Sequence, residues 1–244
     1  MKYGIVHYNT PELTTCLISS IKRWDEDATI FIFENSDKRP LEDVFGDLII
    51  FDNSKGQLID FSKLIEEAHN HLSPASWQAH LASIETNNFG SMKHAASVQW
   101  LIDNVADSFL LLDSDVLLKK SPLDLATDKI CSGSIDYLTP QFYRIAPYIC
   151  YLNYSELAKH NVKFFDIKTF DSVHYDTDTG GTFLKELEQK HIEFNRFDWM
   201  EYCVHFGNGS WRTCKKANLK NASVGTYKMF LLEHKHLWNY IDAT

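Results

Sequence analysis

The chain lacks any segment that predicts membrane insertion or export. No apolar run in its 244 residues approaches the roughly 20 consecutive residues that a membrane-spanning helix needs. The N-terminus, MKYGIVHYN, has neither the apolar core nor the small-residue cleavage site of a signal peptide. We therefore expect a cytoplasmic protein, either free or bound at the inner face of the membrane.

Other absences argue against several classes of protein. The five cysteines are an odd number without a CxxC pair, so we expect free thiols rather than a disulfide framework or a structural zinc site. A net charge of −9 argues against a general nucleic-acid-binding protein. The Walker A loop and the GxGxxG fingerprint are both missing, so neither of these glycine-rich loops explains phosphate binding here.

What is present is an alternation of strand and helix patterns. Residues 3–8, 29–34, 48–52 and 108–112 predict strands, and residues 10–24, about 57–86 and 91–106 predict helices. The second half has short strands near 136–140 and 148–153, a helix around 181–190 and a final helix over 226–241. The alternation predicts an α/β fold, with a mixed, mostly parallel sheet flanked by helices in a single domain.

Two helices show a clear apolar face. Thr10 and Pro11 suit the N-cap and the first position of the first helix. The residues predicted to point inward are Leu13, Leu17, Ile21 and Trp24 in that helix, and Val98, Leu101, Ile102 and Val105 in the helix over 91–106.

Polar residues follow each of the four predicted strands. They are His7-Tyr8-Asn9, Glu34-Asn35, Asp52-Asn53 and Asp113-Ser114-Asp115. Ligands of parallel α/β sheets bind beyond the carboxyl ends of the strands. Turn chemistry explains Asn or Asp at any single loop, but the repetition at four strands favours a binding site.

The last of these loops lies within FLLLDSDVLLKK, residues 109–120. Two carboxylates one residue apart repel each other, and a divalent cation such as Mg²⁺ or Mn²⁺, shared with substrate phosphates, relieves that repulsion. An EF-hand is excluded because the sequence turns apolar after the second aspartate. Two alternatives stay open: a haloacid-dehalogenase-like phosphatase with an aspartate nucleophile, and a pair of exposed turn aspartates.

Several stretches together resemble a known group. They are IVHYNTPELTTCLISSI, IFIFENSD, NNFGSMKHAASVQWLI and FLLLDSDVLL, which cover roughly the first half of the chain. In this order they resemble nucleotide-sugar glycosyltransferases with the Rossmann-like GT-A fold, especially family-2-like bacterial enzymes of surface polysaccharide synthesis. A segment of about thirty residues, 57–88, departs from that pattern.

The resemblance implies a role for each matching residue. Asp113 and Asp115 would bind the metal, Mn²⁺ or Mg²⁺, and Asp113 or Ser114 would also contact the donor. The residues implied to hold the nucleotide are Tyr8, Asn9, Glu34, Asn35, Asp52, Asn53 and Lys93. In HFGNGSW, residues 205–211, His205 would be the third metal ligand. Gly207, Gly209, Ser210 and Trp211 would then line the diphosphate and the sugar.

The sequence gives weaker signals for the residues that would bind and activate the acceptor. In HYDTDTGGTF, residues 174–183, Asp178 is the implied catalytic base and Asp176 the reserve, while the alternative is that Asp178 caps the next helix. Arg144 suits a phosphate, and the neighbouring Tyr143 and Tyr148 suit a sugar, or all three are ordinary core and surface residues. Inverting transfer is favoured, although the late His-Gly motif also resembles retaining families.

We expect a glycosyltransferase domain over 1–211, divided into a nucleotide-binding half (1–120) and an acceptor and metal-completing half (121–211). Residues 212–244 would form a basic amphipathic helical extension, with six Lys and Arg side chains against two acidic ones, a charge of +4. This extension contacts a membrane surface or, as we favour, packs on its own domain or on a partner subunit of a homo-oligomer.

The sequence therefore predicts a metal-dependent glycosyltransferase. It would move a sugar from a nucleoside-diphosphate sugar to a glycan or lipid-linked acceptor. The alternatives are the phosphatase and a nucleotide- or sugar-binding protein without turnover.

Overall fold

The computed structural model describes residues 1–71, 88–139, 142–167 and 179–205. The strands are β1 Lys2–His7, β2 Thr29–Glu34, β3 Ile49–Asp52, β4 Phe109–Asp113, β5 Val116–Leu118, β6 Cys131–Thr139, β7 Phe142–Leu152, β8 Asn195–Arg196 and β9 Cys203–His205. The helices are α1 Pro11–Trp24, α2 Phe61–His71, α3 Asn88–Val105, α4 Tyr154–His160, α5 Gly181–Gln189 and α6 Trp199–Tyr202, with a 3₁₀ turn at Leu123–Leu125.

Seven strands form a sheet in the order β3-β2-β1-β4-β7-β6-β8, and β5 and β9 form a separate two-stranded sheet. The pairs β1–β2, β2–β3 and β6–β8 are parallel, whereas β6–β7 and β5–β9 are antiparallel. The predicted α/β class, with a mixed, mostly parallel sheet flanked by helices, is thus confirmed.

The described residues belong to two compact units, each built from separate stretches of chain. Unit 1 comprises residues 1–55, 112–124 and 200–205, and unit 2 comprises residues 56–111 and 125–199, apart from the gaps given above. The expected boundary at residue 211 stays a prediction, because residues 206–244 lie outside the described part. The predicted final helix lies there as well.

The core of unit 1 follows from its apolar periodicity. In β1 and β2 every residue after the first is buried. In α1, Leu17, Ile18 and Ile21 are buried, whereas Leu13 and Trp24 are only partly buried. The register pairs His7 with Glu34 and Glu34 with Asp52, so the polar ends of three strands meet at one edge.

Unit 2 has its own core around the β6–β7 hairpin and α3. Val98, Leu101 and Ile102 are buried as predicted, while Val105 is partly exposed. Asn153 caps α4 by accepting a hydrogen bond from the Glu156 backbone. α2 begins at Phe61, later than predicted, because Asp60 Oδ1 accepts the Ser62 and Lys63 amides at 3.0 and 3.2 Å and so caps the helix there.

Within the described residues, no helix has both the length and the apolar character needed to cross a bilayer.

Gly180 fixes the start of α5. Its φ is +87°, and a Cβ built on it would lie 2.1 Å from the carbonyl oxygen of Ile145 in β7. The Ile145 amide donates to the Gly180 carbonyl at 3.4 Å. Gly180 occupies the N-cap position, so the alternative in which Asp178 caps this helix is not supported. Asp178 itself lies outside the described residues.

Replacing Gly180 with alanine should destabilise the protein by at least ~2 kcal/mol, because it combines left-handed strain with a backbone clash. Gly46→Ala is the matched control, since Gly46 has a φ of +77° but nothing within 4 Å of the added Cβ. The free energies of unfolding in urea would be compared. Equal losses in the two variants would show that the close approach to Ile145 has no energetic weight.

Candidate metal centre

Asp113, Asp115 and His205 come together in unit 1. Asp113 ends β4, Asp115 directly precedes β5, and antiparallel pairing places Val116 opposite His205. The ligand atoms of the three side chains all lie within 4.8 Å of one another. His205 Nε2 is 3.3 Å from Asp115 Oδ1. The structure therefore assembles the three residues that the sequence predicts as metal ligands.

The chemistry of this cluster suits a divalent cation. Two carboxylates supply hard oxygen donors, and the imidazole supplies a nitrogen donor that Mn²⁺ accepts more readily than Mg²⁺. The cluster is partly shielded, since the Asp115 side chain is buried and the His205 side chain is 21% exposed. No other group of three His, Cys, Asp or Glu side chains in the described ranges approaches this closely.

The turn between the two aspartates is anchored to the loop after β1. Ser114 Oγ lies 3.2 Å from Thr10 Oγ1, and both residues are buried. This corrects the expectation for Thr10: it stands at the N-cap position of α1, but its side chain makes no capping hydrogen bond. Ser20 Oγ in α1 also accepts the Leu118 amide at 3.3 Å, which ties α1 to β5.

Cys203 lies two residues before His205 and belongs to the core, as the sequence predicts. It is 1% exposed, and burial raises the pKa of its thiol to about 12. Its sulfur is not among the ligand atoms that converge at Asp113, Asp115 and His205. In the described ranges, Cys16, Cys131 and Cys150 are likewise thiols rather than halves of a disulfide.

Asn9 organises the loop that follows β2. It is buried with a φ of +55°, a conformation that asparagine tolerates better than most residues. Its Oδ1 accepts the Lys38 and Arg39 amides at 3.1 and 2.9 Å, and its Nδ2 donates to Asp37 Oδ1 at 2.6 Å. Asn9, which the sequence predicts as a nucleotide contact, thus holds residues 37–39 in place.

Glu34 also holds the loop that follows β2, through both of its carboxylate oxygens. Its Oε1 accepts the Ser36 amide at 2.6 Å and its Oε2 accepts the Leu41 amide at 2.7 Å. Ser36 Oγ in turn accepts the Asn9 amide at 2.8 Å. The sequence did not identify Ser36 and Asp37 as parts of this hydrogen-bond network, although both lie in the ENSD stretch that carries the resemblance.

The remaining predicted nucleotide contacts of unit 1 lie at the same sheet edge. Asn53 Nδ2 donates to Asn35 Oδ1 at 3.0 Å, and the Asn53 amide donates to the Glu34 carbonyl at 2.8 Å. Asp52 is exposed and its Oδ1 accepts the Ser54 amide at 2.8 Å. Tyr8 is 37% exposed. Their contacts with a nucleotide stay a prediction.

Other candidates belong to unit 2. Lys93 Nζ lies 5.1 Å from the centre of the Phe61 ring, and Arg144 donates to Asp136 Oδ2 from Nε and Nη2 at 3.2 and 3.1 Å.

The two tyrosines beside Arg144 differ. Tyr148 is 3% exposed and packs edge-on against Trp199, with ring centres 4.8 Å apart, which favours the core alternative that the sequence left open for it. Tyr143 is 38% exposed.

Several predicted residues fall outside the described part of the chain. They are Asp176, Asp178, Gly207, Gly209, Ser210 and Trp211.

No family model matches the chain, and no curated protein matches it significantly. Among solved structures, an active-site mutant of LgtC is 13% identical, with a TM-score of 0.46, over 77% of this chain and 70% of LgtC.

Two further glycosyltransferase structures are similar to a comparable degree. The bifunctional glycosyltransferase WbbM is 12% identical, with a TM-score of 0.44, over 80% of this chain and 38% of WbbM. GlyE of Streptococcus pneumoniae TIGR4 is 10% identical, with a TM-score of 0.44, over 81% of this chain and 44% of GlyE. Similarity at this level establishes neither a family nor an activity.

His7 connects the loop that follows β2 to α1. It is fully buried, with Nδ1 2.8 Å from Thr14 Oγ1, and Nε2 3.3 Å from the Arg39 carbonyl and 3.7 Å from Glu34 Oε2. Burial lowers the pKa of His7 below its ordinary value of 6.5, against the opposing effect of the Glu34 charge. These partners fit a neutral imidazole with its proton on Nε2.

The free energy of unfolding should therefore contain a term that is lost as the pH falls below 6.5, because unfolded His7 binds a proton there and folded His7 resists it. His7→Gln should reduce the dependence of the free energy of unfolding on pH below 6.5. His191→Asn, at an exposed histidine, should leave that dependence unchanged. Urea unfolding between about pH 5 and pH 8 measures the term. Identical profiles for His7→Gln and the wild type would contradict it.

Proposed function

We propose that this chain is a metal-dependent glycosyltransferase of the GT-A type. It transfers a sugar from a nucleoside-diphosphate sugar to a glycan or lipid-linked acceptor, in the synthesis of a surface polysaccharide. The observation that carries the proposal is the Asp113, Asp115 and His205 cluster at the end of a sheet strand. The same unit contains the polar loops after β1, β2 and β3.

In this proposal, the three side chains hold Mn²⁺ in preference to Mg²⁺. When bound, the ion supplies positive charge to the diphosphate of the donor as it leaves. The proximity of two carboxylates supports this role, since a site with neighbouring negative charges favours a cation over an anion.

The donor nucleoside is proposed to bind at the edge where β1, β2 and β3 end. Tyr8, Asn35 and Asp52 are the direct contacts that the exposed or half-buried positions support best. Asn9, Glu34 and Asn53 are buried and act mainly by holding the loops. Residues proposed for the phosphates and the sugar are Lys93, Ser114, Arg144, Gly207, Gly209, Ser210 and Trp211.

The acceptor hydroxyl needs a base if transfer inverts the anomeric configuration. Asp178 is the proposed base and Asp176 the reserve, and both carboxylates precede a helix that Gly180 anchors to β7. Nothing in the described residues favours the phosphatase alternative. The products separate the classes: with Mn²⁺ a transferase slowly releases nucleoside diphosphate, a phosphatase releases inorganic phosphate, and a binding protein releases neither.

A nucleoside diphosphate should raise the melting temperature only when Mn²⁺ is present. Ligand at a hundred times its Kd stabilises the folded state by about 2.7 kcal/mol. The screen would use uridine, guanosine and thymidine diphosphates. Asp115→Asn and His205→Gln should remove the shift because each deletes a metal ligand, while Asp128→Asn, at an exposed carboxylate of unit 2, should keep it. A metal-independent shift in all variants would refute the site.

Asp178→Asn should lower transfer at least ~10²-fold, because a general base contributes about that much to the rate. Binding of nucleoside diphosphate with Mn²⁺ should be unchanged. Asp176→Asn is the control and should retain most activity. Unchanged turnover in Asp178→Asn would remove this residue from the mechanism, and loss in Asp176→Asn alone would move the role to the reserve.

A further inference from the structure

His205 is held by a very short ladder. The sheet that carries it has two strands, with the register pairs Val116–His205, Leu117–Val204 and Leu118–Cys203. An isolated two-stranded ribbon is at best marginally stable. A slip by a single residue would turn His205 to the other face of the strand, because side chains alternate along it. Something beyond the ladder must therefore fix the position of His205.

The other end of this ladder is anchored by a second set of contacts. The Lys119 amide donates to the Tyr202 carbonyl at 2.7 Å, and Lys119 Nζ donates to the Met200 carbonyl at 2.6 Å. The Tyr202 hydroxyl donates to Asp124 Oδ2 at 2.8 Å. We call Lys119, Asp124, Met200 and Tyr202 the His205 clasp; all of them belong to unit 1.

Tyr202 is the centre of the clasp. It is 7% exposed, although Met200, two residues earlier, is 56% exposed. Lys120 Nζ lies 3.8 Å from the centre of the Tyr202 ring and 3.2 Å from Glu201 Oε2. Burial, and next the hydrogen bond to Asp124, raise the pKa of Tyr202, so its hydroxyl remains a donor at neutral pH.

The clasp joins the two segments that supply the metal ligands. Asp124 and Lys119 follow Asp115 along the chain, and Tyr202 precedes His205 by three residues. A hydrogen bond to a carboxylate is stronger than one between neutral groups, so the Tyr202–Asp124 bond resists sliding of β9 along β5. The distance between His205 and Asp115 depends on that register.

We propose that Tyr202, through its hydrogen bond to Asp124, is a positioning residue that sets the register of β9 and thereby places His205 for metal binding. The inference rests on the proposed function, because it assumes that Asp113, Asp115 and His205 bind Mn²⁺. Tyr202 itself does not touch the ion. It acts in the way that outer hydrogen-bond partners orient metal ligands in other proteins.

The test is Mn²⁺ titration of the full chain, with free Mn²⁺ read from its electron paramagnetic resonance signal. Tyr202→Phe removes only the hydroxyl and should weaken Mn²⁺ binding about tenfold. Asp124→Asn should weaken it in the same direction. Tyr154→Phe, the same change at a half-buried tyrosine of unit 2, should leave the affinity unchanged.

A double-mutant cycle separates positioning from general loosening of the fold. His205→Ala leaves binding by the two aspartates alone, and adding Tyr202→Phe to it should have no further effect. Equal weakening by Tyr202→Phe with and without His205, or none with His205 present, would overturn the inference while leaving the metal site intact. Absence of Mn²⁺ binding by the wild type would instead refute the proposed function and the inference with it.

Discussion

The mutual repulsion of Asp113 and Asp115 is the constraint around which this site is organised. Both carboxylates lie within one turn at the end of a buried strand, and Asp115 is itself buried. Water cannot screen such a pair as it screens two surface charges. The imidazole of His205 lies 3.3 Å from Asp115 Oδ1, and Ser114, between the two aspartates, is held by a contact with Thr10 Oγ1. A positive centre among the three side chains would relieve the repulsion that the fold creates.

Buried polar groups also hold the loop that follows β2. Glu34, Asn9 and His7 are almost inaccessible to water, and polar atoms of each contact atoms of residues 36–41. A buried polar group without such partners would destabilise the fold. These hydrogen bonds hold residues 36–41 against the strand ends without any ligand. A ligand that binds at this edge would lose little free energy in ordering this loop.

The regular elements were predictable because their patterns are long. β2 matches its predicted bounds, and α3 differs from its prediction by a few residues. β5 and β9 have three residues each, too few for any periodicity, so their pairing was not predictable. The role of Asn9 was equally hidden, since its partners lie about thirty residues away.

Unit 1 is assembled from stretches that are far apart in the chain. During synthesis, the twin aspartates leave the ribosome long before His205 does. Through that interval the nascent chain has two of the three ligands and no β9 to pair with β5. The three side chains of the proposed metal site can therefore come together only after residue 205 has emerged, so the site is completed late in synthesis and cannot act as a nucleus for the folding of the first half of the chain.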